Sequence, residues 1–395
     1  MTHPDLIAAT DLCVKCGLCL PHCPTYRQTL DENQSPRGRL ALIQGWASGA
    51  LAAGPALTRH LDGCLLCRAC EAVCPAQVPY GRIVDRFRAA TGGAGKPWPA
   101  RLRSTLLRRL LSRGGAAALT RPWAVAARRC LAGSGLLRLL GLDELDAGLP
   151  APSGRGPVPS AEGAVTGRID LFLGCTAELL DRATLDATLT LLARLKVAVR
   201  IPPGQTCCGA LEAHAGQDCS AALAANLAAF AGPDPVVSFA SGCAAMLRDY
   251  PASFAARVMD LSQWLVEHPW PAKVALRPLK AKVCLHSPCT LRNVLRAEHY
   301  PAELLRRIPE LTLVPLPSDL GCCGAAGTYC LERPAMARAL RDEVLDQVLA
   351  AGADLVATSN PGCALHLRAG LKQRGRGQIE VLHPATLLAR QWPMP

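Results

Sequence analysis

With 6 Trp, 5 Tyr and 5 Phe in 395 residues, the chain is poor in aromatic side chains. It therefore lacks the stacking platforms on which single-stranded nucleic acids are held. That scarcity weighs against the nucleic-acid reading which a formal net charge of +12 would otherwise invite. No uninterrupted apolar run approaches the roughly 20 residues that a membrane-crossing helix needs, so any membrane association is expected to be peripheral, on the inner face of the cytoplasmic membrane. The opening residues Met1–Thr10 are polar and short, unlike a secretory signal, and a reducing cytoplasm is the expected compartment. A phosphate-binding loop is missing too. The stretch Thr91–Lys96 resembles one at a glance, but the pattern G-x-x-x-x-G-K-S/T is broken by Ala90 and by Pro97.

Cysteine is what the chain has in excess: there are 20. In a secreted chain that number would suggest a disulfide framework, but here the cysteines are grouped in metal-ligand spacings. Two short runs set the pattern, Cys13-Val-Lys-Cys16-Gly-Leu-Cys19-Leu-Pro-His-Cys23-Pro24 and Cys64-Leu-Leu-Cys67-Arg-Ala-Cys70-Glu-Ala-Val-Cys74-Pro75. Both read C-x2-C-x2-C-x3-C-P, the spacing by which two-cluster bacterial ferredoxins hold a pair of 4Fe-4S clusters, the fourth cysteine of each run reaching the other cluster. The expected ligand sets are therefore crossed. One cluster takes Cys13, Cys16, Cys19 and Cys74, and the other takes Cys64, Cys67, Cys70 and Cys23. Paired C-x2-C motifs alone would suit zinc; eight cysteines in this repeated order, with proline after each fourth, point to iron-sulfur instead.

The length allows two or three domains. Residues 1–95 form the expected cluster domain, with one helix after Ser35-Pro36-Arg37-Gly38-Arg39 running through Leu42, Ile43 and Trp46, and another over Arg82 to Ala90. Arg37 and Arg39 are read as solvated turn arginines. Residues 96–166 read as a basic helical connector, carrying Arg101, Arg103, Arg108, Arg109, Arg113, Arg121, Arg128 and Arg129 among leucine and alanine. Such a face suits solvent, anionic lipid or a partner protein. A loop rich in proline and glycine, from Leu149 to Gly167, closes it.

Beyond the loop the chain repeats itself. Gly174-Cys175-Thr176, Cys207-Cys208-Gly209-Ala210 and Ser241-Gly242-Cys243 return as Pro288-Cys289-Thr290, Cys322-Cys323-Gly324-Ala325 and Pro361-Gly362-Cys363, at offsets of 114, 115 and 120 residues. Three matched landmarks at nearly constant offset imply a duplicated fold, with one unit over 167–275 and another over 276–395. Short apolar strands alternate with helical stretches such as Arg182 to Leu195 and Ala335 to Ala350, the pattern of parallel α/β units, whose functional groups gather beyond the carboxyl ends of the strands. On that reading Cys175, Cys207, Cys208 and Cys243 converge at one site, and Cys289, Cys322, Cys323 and Cys363 at another. Whether these hold clusters, zinc or nothing is left open. Cys284, aligned with Leu171, is expected to be a buried strand residue, and Cys130, Cys219 and Cys330 inert structural ones. His286 and His366, beside the repeat cysteines, are either ligands or hydrogen-bonded structural histidines. The fold class is thus a multidomain α+β and α/β chain: an N-terminal helical, bacterial-ferredoxin-like domain followed by two repeated α/β Cys-Cys-Gly units.

The Cys-Cys-Gly repeats resemble the cysteine-rich domain of the heterodisulfide reductase catalytic subunit and of iron-sulfur subunits in flavin-linked hydroxy-acid dehydrogenases. The whole arrangement most resembles the glycolate oxidase iron-sulfur subunit family, through the two cysteine runs, Pro36-Arg37-Gly38-Arg39, His60-Leu-Asp-Gly-Cys64, His286-Ser-Pro288-Cys289, Cys322-Cys323-Gly324-Ala-Ala-Gly327-Thr328-Tyr329 and Asn360-Pro361-Gly362-Cys363. The resemblance implies a complex in which a separate FAD subunit oxidises glycolate to glyoxylate while this chain passes electrons to a quinone or another acceptor. In the heterodisulfide reductase relatives each repeat ends in C-x2-C and five cysteines bind a non-cubane cluster. This chain departs there, with Met246 and His366 in place of the final cysteines, which puts disulfide cleavage in doubt. Three readings follow: an electron-transfer subunit of a flavin-dependent 2-hydroxy-acid dehydrogenase, a reductase of the heterodisulfide or D-lactate-linked kind, and a nucleic-acid binder suggested by charge alone. The first is preferred, since no group of side chains suggests a hydroxy-acid active site in this chain. No nucleic-acid partner is expected.

Overall fold

In the computed structural model the described residues are 2–92, 102, 105, 164–175, 181–271, 274–317 and 320–393. The connector arginines from Arg101 to Arg129, Cys130 and the glycine run after Gly92 lie outside them.

Proline opens most of the N-terminal helices. α1 (Pro4–Asp11), α2 (Pro24–Thr29), α3 (Pro36–Ala47) and α4 (Pro55–Asp62) each carry it in the first turn, where its missing N–H removes no helical hydrogen bond and its fixed φ suits helix entry. The proline after Cys23 thus turns a cysteine loop directly into a helix. Ser35 caps α3, its hydroxyl accepting from the Gly38 N–H at 2.9 Å. α5 (Ala69–Ala72) and α6 (Tyr80–Thr91) follow the second run. The helices bury Leu40, Ile43, Leu61, Ile83, Val84 and Phe87 together, and Trp46 closes one edge by stacking on His3 and meeting Phe87 edge-on. At roughly 1.5–3 kcal/mol per large apolar side chain buried, this packing supports helices too short to be stable alone.

From Gly167 strands alternate with helices. β1 (Gly167–Phe172), β2 (Val197–Arg200), β3 (Val236–Ser238) and β4 (Val258–Asp260) form a parallel sheet in the order β2-β1-β3-β4, with Ile169 opposite Val199 and Leu171 opposite Val237. β5 (Lys282–Leu285), β6 (Thr312–Pro315), β7 (Leu355–Ala357) and β8 (Glu380–Leu382) repeat it as β6-β5-β7-β8. Cys284 lies in β5 opposite Val314 and Val356 and is fully buried, but it is not the counterpart of Leu171: it faces the second copy's own core whereas Leu171 faces the shared one, and its equivalent in β1 is Asp170, opposite Val236. α7 (Arg182–Arg194) joins β1 to β2, and α8 (Ser241–Leu247) follows β3. In the second copy α9 (Pro334–Ala350) precedes β7, α10 (Pro361–Gln373) follows it, and α11 (Pro384–Gln391) comes last. Leucines from both copies, among them Leu171, Leu192, Leu285, Leu305 and Leu388, share one core, so the two sheets are fused rather than tethered.

The strand order reverses between β1 and β3, and again between β5 and β7. A reversal of this kind opens a crevice at the carboxyl ends of the strands. Cys175 and Cys289 stand just after β1 and β5, and Cys243 and Cys363 in the first turns of α8 and α10, at those two crevices.

Candidate metal centres

Four cysteines of the first run's expected set, Cys13, Cys16, Cys19 and Cys74, line one cavity together with Cys70. Cys64, Cys67, Cys70 and Cys23 line a second. Each fourth cysteine therefore sits with the other run. The loops turn tightly because left-handed residues alternate with ordinary ones, Lys15 and Gly17 in the first and Leu66 and Arg68 in the second, a geometry that directs backbone N–H groups into the concave side. Leu66 N–H donates to the Cys64 sulfur at 3.4 Å, and the Tyr80 hydroxyl lies 3.5 Å from it.

Burial pushes the Cys19 thiol up to about 11 and holds Cys67 and Cys70 well above the usual thiol range. Thiols gathered in this way ionise only if a cation accepts them, and metal binding deprotonates a thiol outright. The all-sulfur donor sets and their apolar surroundings fit iron-sulfur clusters.

Arg39 corrects the sequence reading. It is 1% exposed, not solvated, and donates to the His60 carbonyl, the Thr25 hydroxyl and the Gln34 side-chain oxygen at 2.9, 3.1 and 2.8 Å. Its position explains this: Pro36, Arg39, Leu40, Ile43 and Ala47 form the buried face of α3. Burial opposes the guanidinium charge, but Tyr80, Cys64 and Cys23 outweigh it and keep Arg39 protonated. Arg37, by contrast, pairs at the surface with Glu32 at 2.7 Å.

In the repeats, the sulfurs of Cys175 and Cys207 are 3.7 Å apart, those of Cys289 and Cys322 3.9 Å, and those of Cys323 and Cys363 2.9 Å. Gly209 and Gly324 take φ of +84° and +83°, and their N–H groups donate to the sulfurs of Cys207 and Cys322 at 3.5 and 3.4 Å. That is a physical reason for glycine after each doublet: the turn that brings this N–H onto the first sulfur continues through a left-handed residue, a conformation glycine adopts without strain. Cys207 is the readiest of its group to ionise, because Cys175, Cys208 and the Gly209 N–H all hydrogen-bond its sulfur.

The two repeat sites are not separate. All eight repeat cysteines, with Cys64, line one cavity of about 280 Å³. Ser241 and Asn360 bridge the halves there: the Ser241 hydroxyl lies 3.0 Å from that of Thr290 and accepts from Asn360 at 3.2 Å. Asn360 also caps α10, its side-chain oxygen accepting from the Gly362 N–H at 2.9 Å. Sequence reading quoted Asn360 without a role; an asparagine directly before a helix-opening proline was the signal. The second site also abuts the ferredoxin-type loops. Asn293, in a single π-type turn (Leu291–Leu295), donates to the Cys67 carbonyl at 2.8 Å, and Cys67 packs with Leu65, Cys289 and Cys322.

His286 is buried, with Nδ1 3.0 Å from the Thr358 hydroxyl, and burial together with Arg292 lowers its pKa to about 4. His366 instead places Nε2 3.1 Å from the Ala337 carbonyl oxygen. Cys219 and Cys330, expected to be inert core residues, are only half-buried. Cys219 lies against Gly209, and Cys330 packs beside Cys67 and Cys289.

A family model described as a 4Fe-4S dicluster domain matches residues 9–78, and one described as a cysteine-rich domain matches 169–248 and 283–368. The chain is similar to the probable glycolate oxidase iron-sulfur subunit of Bacillus subtilis (strain 168), 32% identical over 95% of this chain and 92% of that protein. It is also similar to the glycolate oxidase iron-sulfur subunit of Escherichia coli (strain K12), 32% identical over 94% of this chain and 93% of that protein. Lactate utilization protein A of Geobacillus kaustophilus is 30% identical over 56% of this chain and 98% of its own length.

Proposed function

The chain belongs to the family of glycolate oxidase iron-sulfur subunits, and from that membership we propose that it is the electron-carrying subunit of a flavin-dependent 2-hydroxy-acid dehydrogenase. Glycolate is oxidised to glyoxylate on a partner FAD subunit, and a quinone or another acceptor takes the electrons. Cys13, Cys16, Cys19 and Cys74 hold one 4Fe-4S cluster, and Cys64, Cys67, Cys70 and Cys23 the other. Cys175, Cys207, Cys208 and Cys243, and likewise Cys289, Cys322, Cys323 and Cys363, hold further redox metal. Iron-sulfur clusters supply one-electron transfer, at potentials set by charge, hydrogen bonding and exposure.

The observation that carries this reading is a chain of linked cavities. Cys70 lines both ferredoxin-type cavities, and Cys64 lines the second of them and the common repeat cavity. The series begins at the surface, where Cys16 is exposed and Val14 and Leu18 are 70% and 55% exposed, and ends among buried sulfurs. The chain itself buries the sulfurs of the inner sites, holds the loops by backbone N–H donors and places Arg39 as a fixed cation beside Cys23 and Cys64. No described helix is long and apolar enough to cross a membrane. Peripheral contact at the inner face of the cytoplasmic membrane is proposed from the arginine-rich sequence between Arg101 and Arg129, a composition that suits anionic lipid.

Lactate as the substrate is a second reading, favoured by the similarity to lactate utilization protein A. Anaerobic co-purification of the full chain with its native partners tests both, by iron, sulfide and flavin analysis and electron paramagnetic resonance. Glycolate should reduce the clusters through a co-purifying flavoprotein. Reduction by lactate alone moves the assignment to the second reading, and a colourless preparation without iron sinks both.

A further inference from the structure

We propose that His286 is a metal ligand of the second repeat's site, so that the two repeats hold chemically different centres: thiolates alone in the first, thiolates and one imidazole in the second. The proposal rests on the reading that the repeat cysteines hold metal, and it adds a donor which the cysteine pattern does not contain.

The geometry is direct. Among the described residues, a ring nitrogen of His286 and the sulfurs of Cys323 and Cys363 lie within 4.8 Å of one another, all three residues buried. Cys289 and Cys322 complete the wall of the same cavity. Imidazole and thiolate together suit zinc and iron alike.

The ring is also oriented as a ligand's would be. The backbone N–H of His286 donates to the Ala357 carbonyl at 2.9 Å, which fixes the residue to the end of β7. Its Nδ1 faces the Thr358 hydroxyl at 3.0 Å. With Nδ1–H donating there, Nε2 keeps the lone pair, and a hydrogen bond on the opposite nitrogen is what sets tautomer and ring angle in metal-bound histidines. A satisfied core histidine needs the Thr358 contact just as much, but has no reason to stand within ligand distance of two cysteine sulfurs.

The repeat supplies an internal control. At the offset of 114 that relates Cys175 to Cys289, the place of His286 is held by Phe172, which is fully buried and packs on Phe230 with ring centroids 5.8 Å apart. His366, one turn beyond Cys363 on α10, offers no substitute, since its Nε2 is taken up with the Ala337 carbonyl.

The test uses the full chain, purified anaerobically, with histidine labelled with nitrogen-15, and reads metal and sulfide content and nitrogen hyperfine coupling; X-ray absorption at the zinc edge replaces the coupling if the repeat metal is zinc. Wild type should show one directly bound histidine nitrogen at a repeat site. In H286C, which keeps a donor in place, that nitrogen should vanish with metal retained. If the site holds iron-sulfur, the potential of its centre should fall, because imidazole ligation raises cluster potentials relative to thiolate. H286F, which copies the first repeat, should lose metal from this site while the N-terminal clusters are untouched. H366F should leave the nitrogen signal unchanged. Full repeat-site metal with no bound nitrogen, or a nitrogen lost in H366F and kept in H286C, overturns the ligand and leaves the electron-transfer reading standing. Repeat sites devoid of metal beside intact N-terminal clusters overturn the ligand and the metal-bearing role of the repeats together.

Discussion

The first and second repeats have the same strand order, the same left-handed glycine after the cysteine doublet and the same shared cavity, yet they meet the N-terminal domain differently. The first rests on α6, where the Arg88 side chain donates to the His214 carbonyl at 2.7 Å and His214 faces Asp85 at 3.1 Å. The second packs its cysteines against the Cys64–Cys70 loop itself. Duplication preserved the scaffold, and divergence decided which copy stands next to the ferredoxin-type sulfurs. Differences at equivalent positions therefore report on role, while identities report on folding.

The sharpest such difference does not involve cysteine. The helix after β4 is capped by Asp260, whose carboxylate accepts from the Ser262 N–H at 2.8 Å; α11 after β8 is capped by His383, whose Nδ1 accepts from the Ala385 N–H at 3.0 Å. Burial raises Asp260 from 3.8 to about 6 and lowers His383 from 6.5 to about 3. The signs are opposite. A depressed histidine contributes stability that is complete above pH 6.5 and is lost as pH falls towards about 3. A raised aspartate contributes stability that is complete below pH 3.8 and is lost as pH rises through about 6. We expect His383→Gln to flatten the acid limb of a denaturation-against-pH curve by a few kcal/mol, and Asp260→Asn to remove a smaller, opposite slope between the two aspartate values. Parallel slopes in the two variants would break the comparison.

The doublet glycines should differ next. A Cβ on Gly324 would lie 2.4 Å from the Ala337 carbonyl oxygen, whereas one on Gly209 would meet the Cys219 Cβ at 3.0 Å. Gly209→Ala should cost about 1–2 kcal/mol from the left-handed backbone. Gly324→Ala adds a clash with backbone, which cannot rotate away, and should unfold at lower denaturant than Gly209→Ala. Equal losses would mean that α9 yields, and that the second site is not the tighter one.

Much of this was legible in the sequence because sulfur spacing is a geometric statement. The crossed grouping of Cys23 and Cys74, the burial of Cys284 and the placement of cysteines at strand ends all follow from local pattern. What was not legible is relative orientation. Nothing in the spacing of either repeat says that the two face one cavity, since the contacts that set it, Ser241 with Thr290 and Asn360, join positions 49 and 119 residues apart. Arg39 was misjudged by residue type, although its place between Pro36 and Ile43 on a buried helical face was already in the sequence. His286 and His366 look equivalent in one dimension, and only the strand end at Thr358 separates them.

The smallest expected effect bears on which repeat is coupled to the N-terminal domain. Asn293→Ala removes one hydrogen bond to the Cys67 carbonyl, worth about 0.5–1.5 kcal/mol. Asp249→Ala removes an ion pair, 3.0 Å long, from the first repeat to Arg68, worth about 0–1 kcal/mol. Stability alone will hardly separate them. Paramagnetic resonance should, because the Cys67 carbonyl belongs to the loop that wraps the second ferredoxin-type cavity, and freeing it alters the hydrogen bonding around those sulfurs. Asn293→Ala should shift the signal of that cluster and leave its neighbour unchanged. If Asp249→Ala produces the larger spectral shift, the first repeat is the closer electronic neighbour of the N-terminal domain and the asymmetry runs the other way.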